Sequence, residues 1–126
     1  MTASELETGV KSLAGYNILV VEDEYFLAQD LRTTLQRCGA RVIGPVSSSS
    51  SARQLLSQDQ PDCVLLDINL NGQDAFGLAR ELRNAGIHTV FTTGYDFSFI
   101  PAGLREIACV QKPLQTDALV RAVRAK

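Results

Sequence analysis

Ile18-Leu19-Val20-Val21-Glu22-Asp23 is a continuous apolar run that stops abruptly at two acids. An unbroken run of this length suits a strand covered on both faces, as in a parallel sheet. Two more runs end the same way. Cys63-Val64-Leu65-Leu66 stops at Asp67, and Cys109-Val110-Gln111 stops at Lys112-Pro113. In a parallel sheet these ends share one edge. Three carboxylates and one ammonium then meet in a single pocket. Such a cluster is costly to assemble for packing alone, so it points to chemistry.

Outward from these runs, the chain alternates strand and helix. The first strand, 17–21, is followed by a helix over about 24–38 with Leu27, Leu31 and Leu35 on one stripe. Gly39 stops that helix in a left-handed conformation. A short second strand covers 41–44, and Pro45 ends it. Ser47 to Ser51 reads as a loop and helix N-cap, leading into a helix over 49–58 that buries Ala52, Leu55 and Leu56. The third strand is 62–66. A polar loop leads to a helix over 75–85, burying Ala75, Leu78, Ala79 and Leu82. The fourth strand is 89–93. Pro101 forbids a long helix in the next stretch but suits a first helical position, so a short helix over 101–105 is expected. The fifth strand is 108–111, and a last helix over 114–125 turns Leu119, Ala122 and Val123 inward. Five βα units in strict alternation imply an α/β fold, a doubly wound parallel five-stranded sheet with helices on both faces. Residues 1–15 read as a flexible N-terminal arm and 16–126 as the domain.

Composition excludes several function classes. The chain has 126 residues, enough for one core, and 45% of them are apolar. A net charge of -2 sets up no field that attracts nucleic acid or anionic lipid. No apolar run approaches the roughly 20 residues that span a bilayer, and the N-terminus lacks a secretory signal pattern. The three cysteines, Cys38, Cys63 and Cys109, are odd in number and form no C-x-x-C pair, so they read as small hydrophobes in a reducing, cytoplasmic setting. The single histidine, His88, falls at the opposite edge of the sheet from the acids and reads as a surface residue.

The pocket has a physical logic. Two carboxylates about 4 Å apart repel by roughly 4 kcal/mol at an effective dielectric near 20. Glu22, Asp23 and Asp67 therefore need a cation or a proton between them. All-oxygen ligands with retained waters suit Mg²⁺. Asp67, at the end of the central strand, is placed to act as a nucleophile toward a phosphoryl group. Lys112 supplies a compact positive charge, and the Thr93 hydroxyl and the Asn69 backbone N–H can hold remaining phosphoryl oxygens.

The ordered set Glu22-Asp23, Asp67, Thr93-Gly94 and Lys112-Pro113 resembles the receiver domain of two-component response regulators over nearly the whole chain. The resemblance implies a flavodoxin-like sheet of order 2-1-3-4-5. It makes Asp67 the phosphoacceptor, Glu22 and Asp23 the metal-binding acids, and Asn69 a metal ligand through its main-chain carbonyl. Thr93 becomes the switch hydroxyl and Lys112 the phosphate-binding lysine, with a cis Lys112-Pro113 bond. Phe91-Thr92-Thr93-Gly94-Tyr95 is similar to the Phe-Ala-Thr-Gly-Tyr motif of a subgroup, often single-domain, that pairs with histidine kinases of the HWE or related type. Three departures stand out. Cys109 replaces the usual aromatic three residues before the lysine, Asn71 replaces a proline, and the stretch from Thr93 to Cys109 is short. Tyr95, two residues after Thr93, is the candidate to report phosphorylation in place of that aromatic. Phe97 and Phe99 accompany it, either capping the core or docking a partner.

The expected function is a stand-alone response regulator. It accepts a phosphoryl group on Asp67 from a histidine kinase or phosphotransfer protein with Mg²⁺, and it switches binding to an unknown downstream protein. It is not an enzyme in any other sense, because an aspartate-type phosphatase needs a second acid where Asn69 stands. The alternatives are a receiver-like interaction module that is never phosphorylated and a receiver domain cut from a larger hybrid kinase.

Overall fold

The computed structural model describes residues 11–70, 75–94 and 100–125. Five strands, β1 (Asn17–Val21), β2 (Arg41–Val46), β3 (Cys63–Asp67), β4 (His88–Thr93) and β5 (Ala108–Gln111), form one sheet. Its order is β2-β1-β3-β4-β5, with every neighbouring pair parallel. Among the described residues four helices, α1 (Tyr25–Arg37), α2 (Ser49–Leu56), α3 (Ala75–Asn84) and α4 (Thr116–Arg124), connect and cover it. A 3-10 turn, Ala102–Leu104, lies between β4 and β5.

Strand side chains alternate between two cores. Ile18, Val20, Cys63 and Leu65 meet Leu31 and Leu35 of α1 and Leu119 and Val123 of α4. Leu19, Val21, Val64 and Leu66 meet Ala52 of α2 and Leu78 and Leu82 of α3. β3 is buried at all five positions, as its uninterrupted apolar run predicts. The order and the fold class are therefore those expected.

Four local readings need correction. β2 does not stop at Pro45 but continues to Val46 through a cis Gly44–Pro45 bond. It is an edge strand, and its pairing with β1 shifts register between Leu19 and Val21, where a residue that cannot donate is tolerated. The packed domain also begins before Tyr16. Leu13 is fully buried in the α1/α4-side core and its N–H donates to the Cys38 carbonyl at 2.8 Å. The boundary of the expected arm at residue 15 is thus too late; residues 1–10 lie outside the described residues. In α4, Val120 joins Leu119 and Val123 in the buried set, a position the expected inward face omitted, while Ala122 packs half-buried against the same core. His88 is the first residue of β4, and its Nε2 lies 2.8 Å from the Ala122 carbonyl, so it ties the strand to α4 instead of standing free on the surface.

Gly39 takes φ +95°, and a Cβ there would fall 2.9 Å from Lys11 Cβ, so glycine is required both by backbone and by space. The connection from β4 to β5 is held by one long-range anchor and one local bond. Arg83 of α3 donates to the Gly103 carbonyl and pairs with Glu106 at 3.4 Å, while Arg105 Nε donates to the Ile100 carbonyl at 3.1 Å. Ile100 and Leu104 are buried beneath these contacts.

Candidate metal and phosphoacceptor site

The C-terminal ends of β1, β3 and β4 deliver the site. Glu22 follows β1 directly, and its N–H donates to the Val46 carbonyl at 2.9 Å. Asp67 is the last residue of β3. Both are almost completely buried, at 3% and 2% exposure, whereas Asp23 is half-buried. One carboxylate oxygen from each of Glu22, Asp23 and Asp67 lies within 4.8 Å of the others. Lys112, one residue past β5, reaches across to both buried acids. Its Nζ is 3.0 Å from Glu22 Oε1 and 3.3 Å from Asp67 Oδ2.

Backbone groups aim these side chains. Asn69 N–H donates to Asp67 Oδ1 at 2.9 Å. Glu24 N–H donates to Glu22 Oε2 at 2.9 Å. Lys112 N–H donates to the Thr93 carbonyl at 2.7 Å, so the fully buried Thr93 at the end of β4 fixes where the lysine starts. The following Lys112–Pro113 bond is cis, as the resemblance implied.

Electrostatics mark the pocket as short of positive charge. Burial, first, and the neighbouring Asp67 carboxyl push the Glu22 carboxyl up to about 7, against the pull of the Glu24 N–H and Lys112. For Lys112, burial is the largest single influence and lowers its pKa. The carboxylates of Glu22 and Asp67 together outweigh it and hold the ammonium above the ordinary lysine value. Glu22 Oε1 is buried and has no partner in hydrogen-bond geometry, although the ammonium is near it. An acceptor in that state, beside two more carboxylates, fits a hard divalent cation with oxygen ligands.

The other candidates are placed as follows. Cys109 is half-buried on β5, away from the acids, beside a cavity of about 340 Å³ that Ile100, Arg105 and Ile107 also line. Burial pushes its thiol up to about 11. Tyr95, Phe97 and Phe99, and Asn71 of the preceding loop, lie outside the described residues.

Two features escaped the sequence reading. Glu24, assigned to the body of the first helix, is its N-cap, accepting from the N–H groups of Phe26 and Leu27. An acid just before an apolar stripe is the signal that identifies it. Tyr25 and Phe26, the first two residues of α1, are 62% and 77% exposed beside the acids. Their rings contact each other at 5.4 Å. No periodicity separates such exposed aromatics from core ones.

Comparison with known proteins agrees with this architecture. A family model described as the response regulator receiver domain matches residues 18–124. The chain is similar to the aerobic respiration control protein ArcA of Escherichia coli strain K12, at 36% identity over 81 residues, covering 64% of this chain and 34% of that protein. It is similar to the transcriptional regulatory protein AfsQ1 of Streptomyces coelicolor, at 32% identity, covering 85% of this chain and 50% of that one. Among solved structures, the BeF3-activated conformation of SdrG from Pseudomonas melonis Fr1 superposes with a TM-score of 0.77 at 29% identity. That match covers 89% of this chain and 96% of the other. The chain spans about a quarter to a half of the length of the curated relatives it matches.

Proposed function

We propose that this chain, which belongs to the response regulator receiver domain family of two-component signalling, accepts a phosphoryl group from a phosphohistidine donor onto Asp67. The observation that carries the reading is the buried Asp67 carboxylate, held by Asn69 N–H and faced by Lys112, with Glu22 and Asp23 beside it. An Asp67 oxygen attacks phosphorus, a P–O bond forms, and the donor's P–N bond breaks. The imidazole leaves with the bonding pair, neutral when its other nitrogen carries a proton. Charge spreads over the equatorial oxygens in the transition state, so positioning and positive charge do most of the work. Mg²⁺ held by Glu22, Asp23, Asp67 and the Asn69 carbonyl supplies charge neutralisation there when bound. Lys112 gives up part of its pairing with the acids to bind a second phosphoryl oxygen, and the Thr93 hydroxyl takes a third.

Phosphorylation adds nearly two negative charges to a pocket built around one lysine. Lys112 and Thr93 answer that change, and the bond between them joins the ends of β4 and β5. Tyr95 is our candidate reporter, since Cys109 offers no ring beside β5. The donor docks beside the acids, on Tyr25 and Phe26. A groove of about 420 Å³ on the same helix, lined by Leu27, Leu31, Arg37, Pro113 and Leu114, opens between α1 and the segment before α4. A histidine kinase of the HWE type suits the Phe91-Thr92-Thr93-Gly94-Tyr95 motif. A cytoplasmic setting accords with three free cysteines. Among the described residues, no helix is long and apolar enough to cross a membrane.

We favour a stand-alone regulator, supported by the match to 96% of the SdrG chain. A receiver within a longer protein is the second reading, supported by the greater length of the curated relatives. The test of the function is incubation with acetyl phosphate and Mg²⁺, read by intact mass. One added phosphoryl group, absent in Asp67→Asn, is the expected result. An unmodified chain overturns the phosphoacceptor reading and leaves an interaction module.

A further inference from the structure

We propose that Glu24 is a positioning residue for the cation site: its carboxylate orders the first turn of α1, and its backbone N–H then holds Glu22 ready to bind metal. The inference rests on reading Glu22, Asp23 and Asp67 as a cation site.

The geometry divides Glu24 into two ends with two tasks. Its Oε1 accepts from Phe26 N–H at 3.3 Å and its Oε2 from Leu27 N–H at 2.7 Å. Its carbonyl accepts from Ala28 N–H at 2.9 Å. Its backbone is extended, at φ -87° and ψ 113°, as an N-cap requires. These three bonds fix the orientation of the residue. Its own N–H is left pointing back along the chain, where it donates to Glu22 Oε2 at 2.9 Å. With Oε2 engaged there, the buried Oε1 is the atom turned toward Lys112 and the other acids.

A cation that draws on Glu22 therefore draws on a carboxylate already tied to the helix start. The converse holds as well, because linkage is reciprocal: whatever orders the first turn of α1 favours cation binding. Tyr25 and Phe26 ride on that turn and face solvent. A donor that grips them also steadies the Glu24 amide. The docking surface and the cation site thus share one residue that belongs to neither.

The test is Mg²⁺ titration of the full chain by calorimetry, with amide hydrogen exchange at Phe26 and Leu27 as the second readout. Glu24→Ala removes the cap and is expected to weaken Mg²⁺ binding about fivefold, the equivalent of a lost N-cap. Glu24→Ser supplies a neutral cap and is expected to bind like the wild type. In wild type and Glu24→Ser, Mg²⁺ slows exchange at both amides; in Glu24→Ala it does not. Glu24→Gln keeps one acceptor oxygen and is expected to fold with a loss of about twofold, which carries the test if Glu24→Ala does not fold. Serine as weak as alanine makes Glu24 a mere negative charge and overturns the proposal. Wild-type affinity in Glu24→Ala, or in Glu24→Gln should Glu24→Ala not fold, overturns it equally. A wild-type chain that binds no Mg²⁺ removes the cation site itself, and this inference falls with it.

Discussion

Replacing Asp67 with asparagine should stabilise the metal-free protein, although it deletes a buried ion pair. Asp67 Oδ2 lies 3.3 Å from Lys112 Nζ, an attraction of about 5 kcal/mol at an effective dielectric of 20. Carboxylate oxygens of Glu22 and Asp23 lie within 4.8 Å, so each repels Asp67 by about 3.5 kcal/mol or more on the same scale. Two repulsions lost against one attraction lost leave a net gain of about 2 kcal/mol. The lysine is not orphaned, because Glu22 Oε1 remains 3.0 Å away. Asparagine also keeps the shape: its oxygen accepts from Asn69 N–H, and its amide can donate toward Glu22.

Mg²⁺ should reverse the order. The wild type gains RT ln(1 + [Mg²⁺]/Kd), about 2.7 kcal/mol at a hundredfold excess over Kd, while the variant has lost one ligand charge and gains less. The assay is urea unfolding at pH 8, in EDTA and in excess MgCl₂. Glu22 adds a pH signature. Its folded pKa of about 7 lies above its unfolded value of 4.5, so its contribution is fully present below 4.5 and is lost as pH rises through 7. That contribution amounts to about 3 kcal/mol in the metal-free wild type. The advantage of Asp67→Asn should accordingly be larger at pH 8 than at pH 5. A variant less stable than wild type in EDTA at pH 8 would refute the claim that the acids crowd one another.

Two further outcomes follow from exposed and half-buried groups. Tyr25→Ala with Phe26→Ala should slow phosphotransfer from a phosphohistidine donor by about tenfold or more, as loss of aromatic anchors does at interfaces. Labelling by acetyl phosphate, which needs no docking surface, should be unaffected; an equal loss with both donors rules out a docking role. Cys109, with its thiol pushed up to about 11, should react with iodoacetamide at pH 8 about 100-fold more slowly than an ordinary thiol. The rate should climb about tenfold per pH unit until pH 11, and rapid single-site alkylation at pH 8 contradicts the burial argument.

The parts of the fold that were legible are those where a local pattern and the global sheet demand the same thing. The runs ending at Glu22 and Asp67 read as parallel strands because they are short, rich in Val, Ile and Leu, and alternate with helical patterns. Leu13 shows the opposite case. It stands in a short stretch whose few apolar residues, Leu6, Val10 and Leu13, are separated by polar and charged ones, and its burial is a property of the tertiary packing among Leu31, Leu35, Ile18 and Val20. Pro45 misled for a similar reason: its effect depends on β2 being an edge strand, which is a property of the sheet and not of the segment. The connection between β4 and β5 is pinned by Arg83, twenty residues before Gly103 in the chain, and no short-range signal announces that contact.

The same distinction separates the residues gathered at the site. Glu22 and Asp67 are carried by strands buried along the residues that lead into them, so once the topology is known their convergence is a matter of register: Val21 lies opposite Leu66, and each acid is the next residue. Lys112 follows β5 by the same logic, with its backbone bonded to Thr93 of β4. Glu24 does not belong to the sheet. It reaches the site only because a helix start requires a cap and a cap fixes the direction of its own amide. A pocket of like charges has little tolerance for drift, since relaxing Glu22 away from the others lowers its energy. Contacts from outside the strands oppose that relaxation: the Lys112 ammonium beside Glu22 and Asp67, and hydrogen bonds from the backbone N–H groups of Glu24 and Asn69. The ordering of the loops after β1 and β3 is therefore part of the cation site's affinity, and not only a consequence of it.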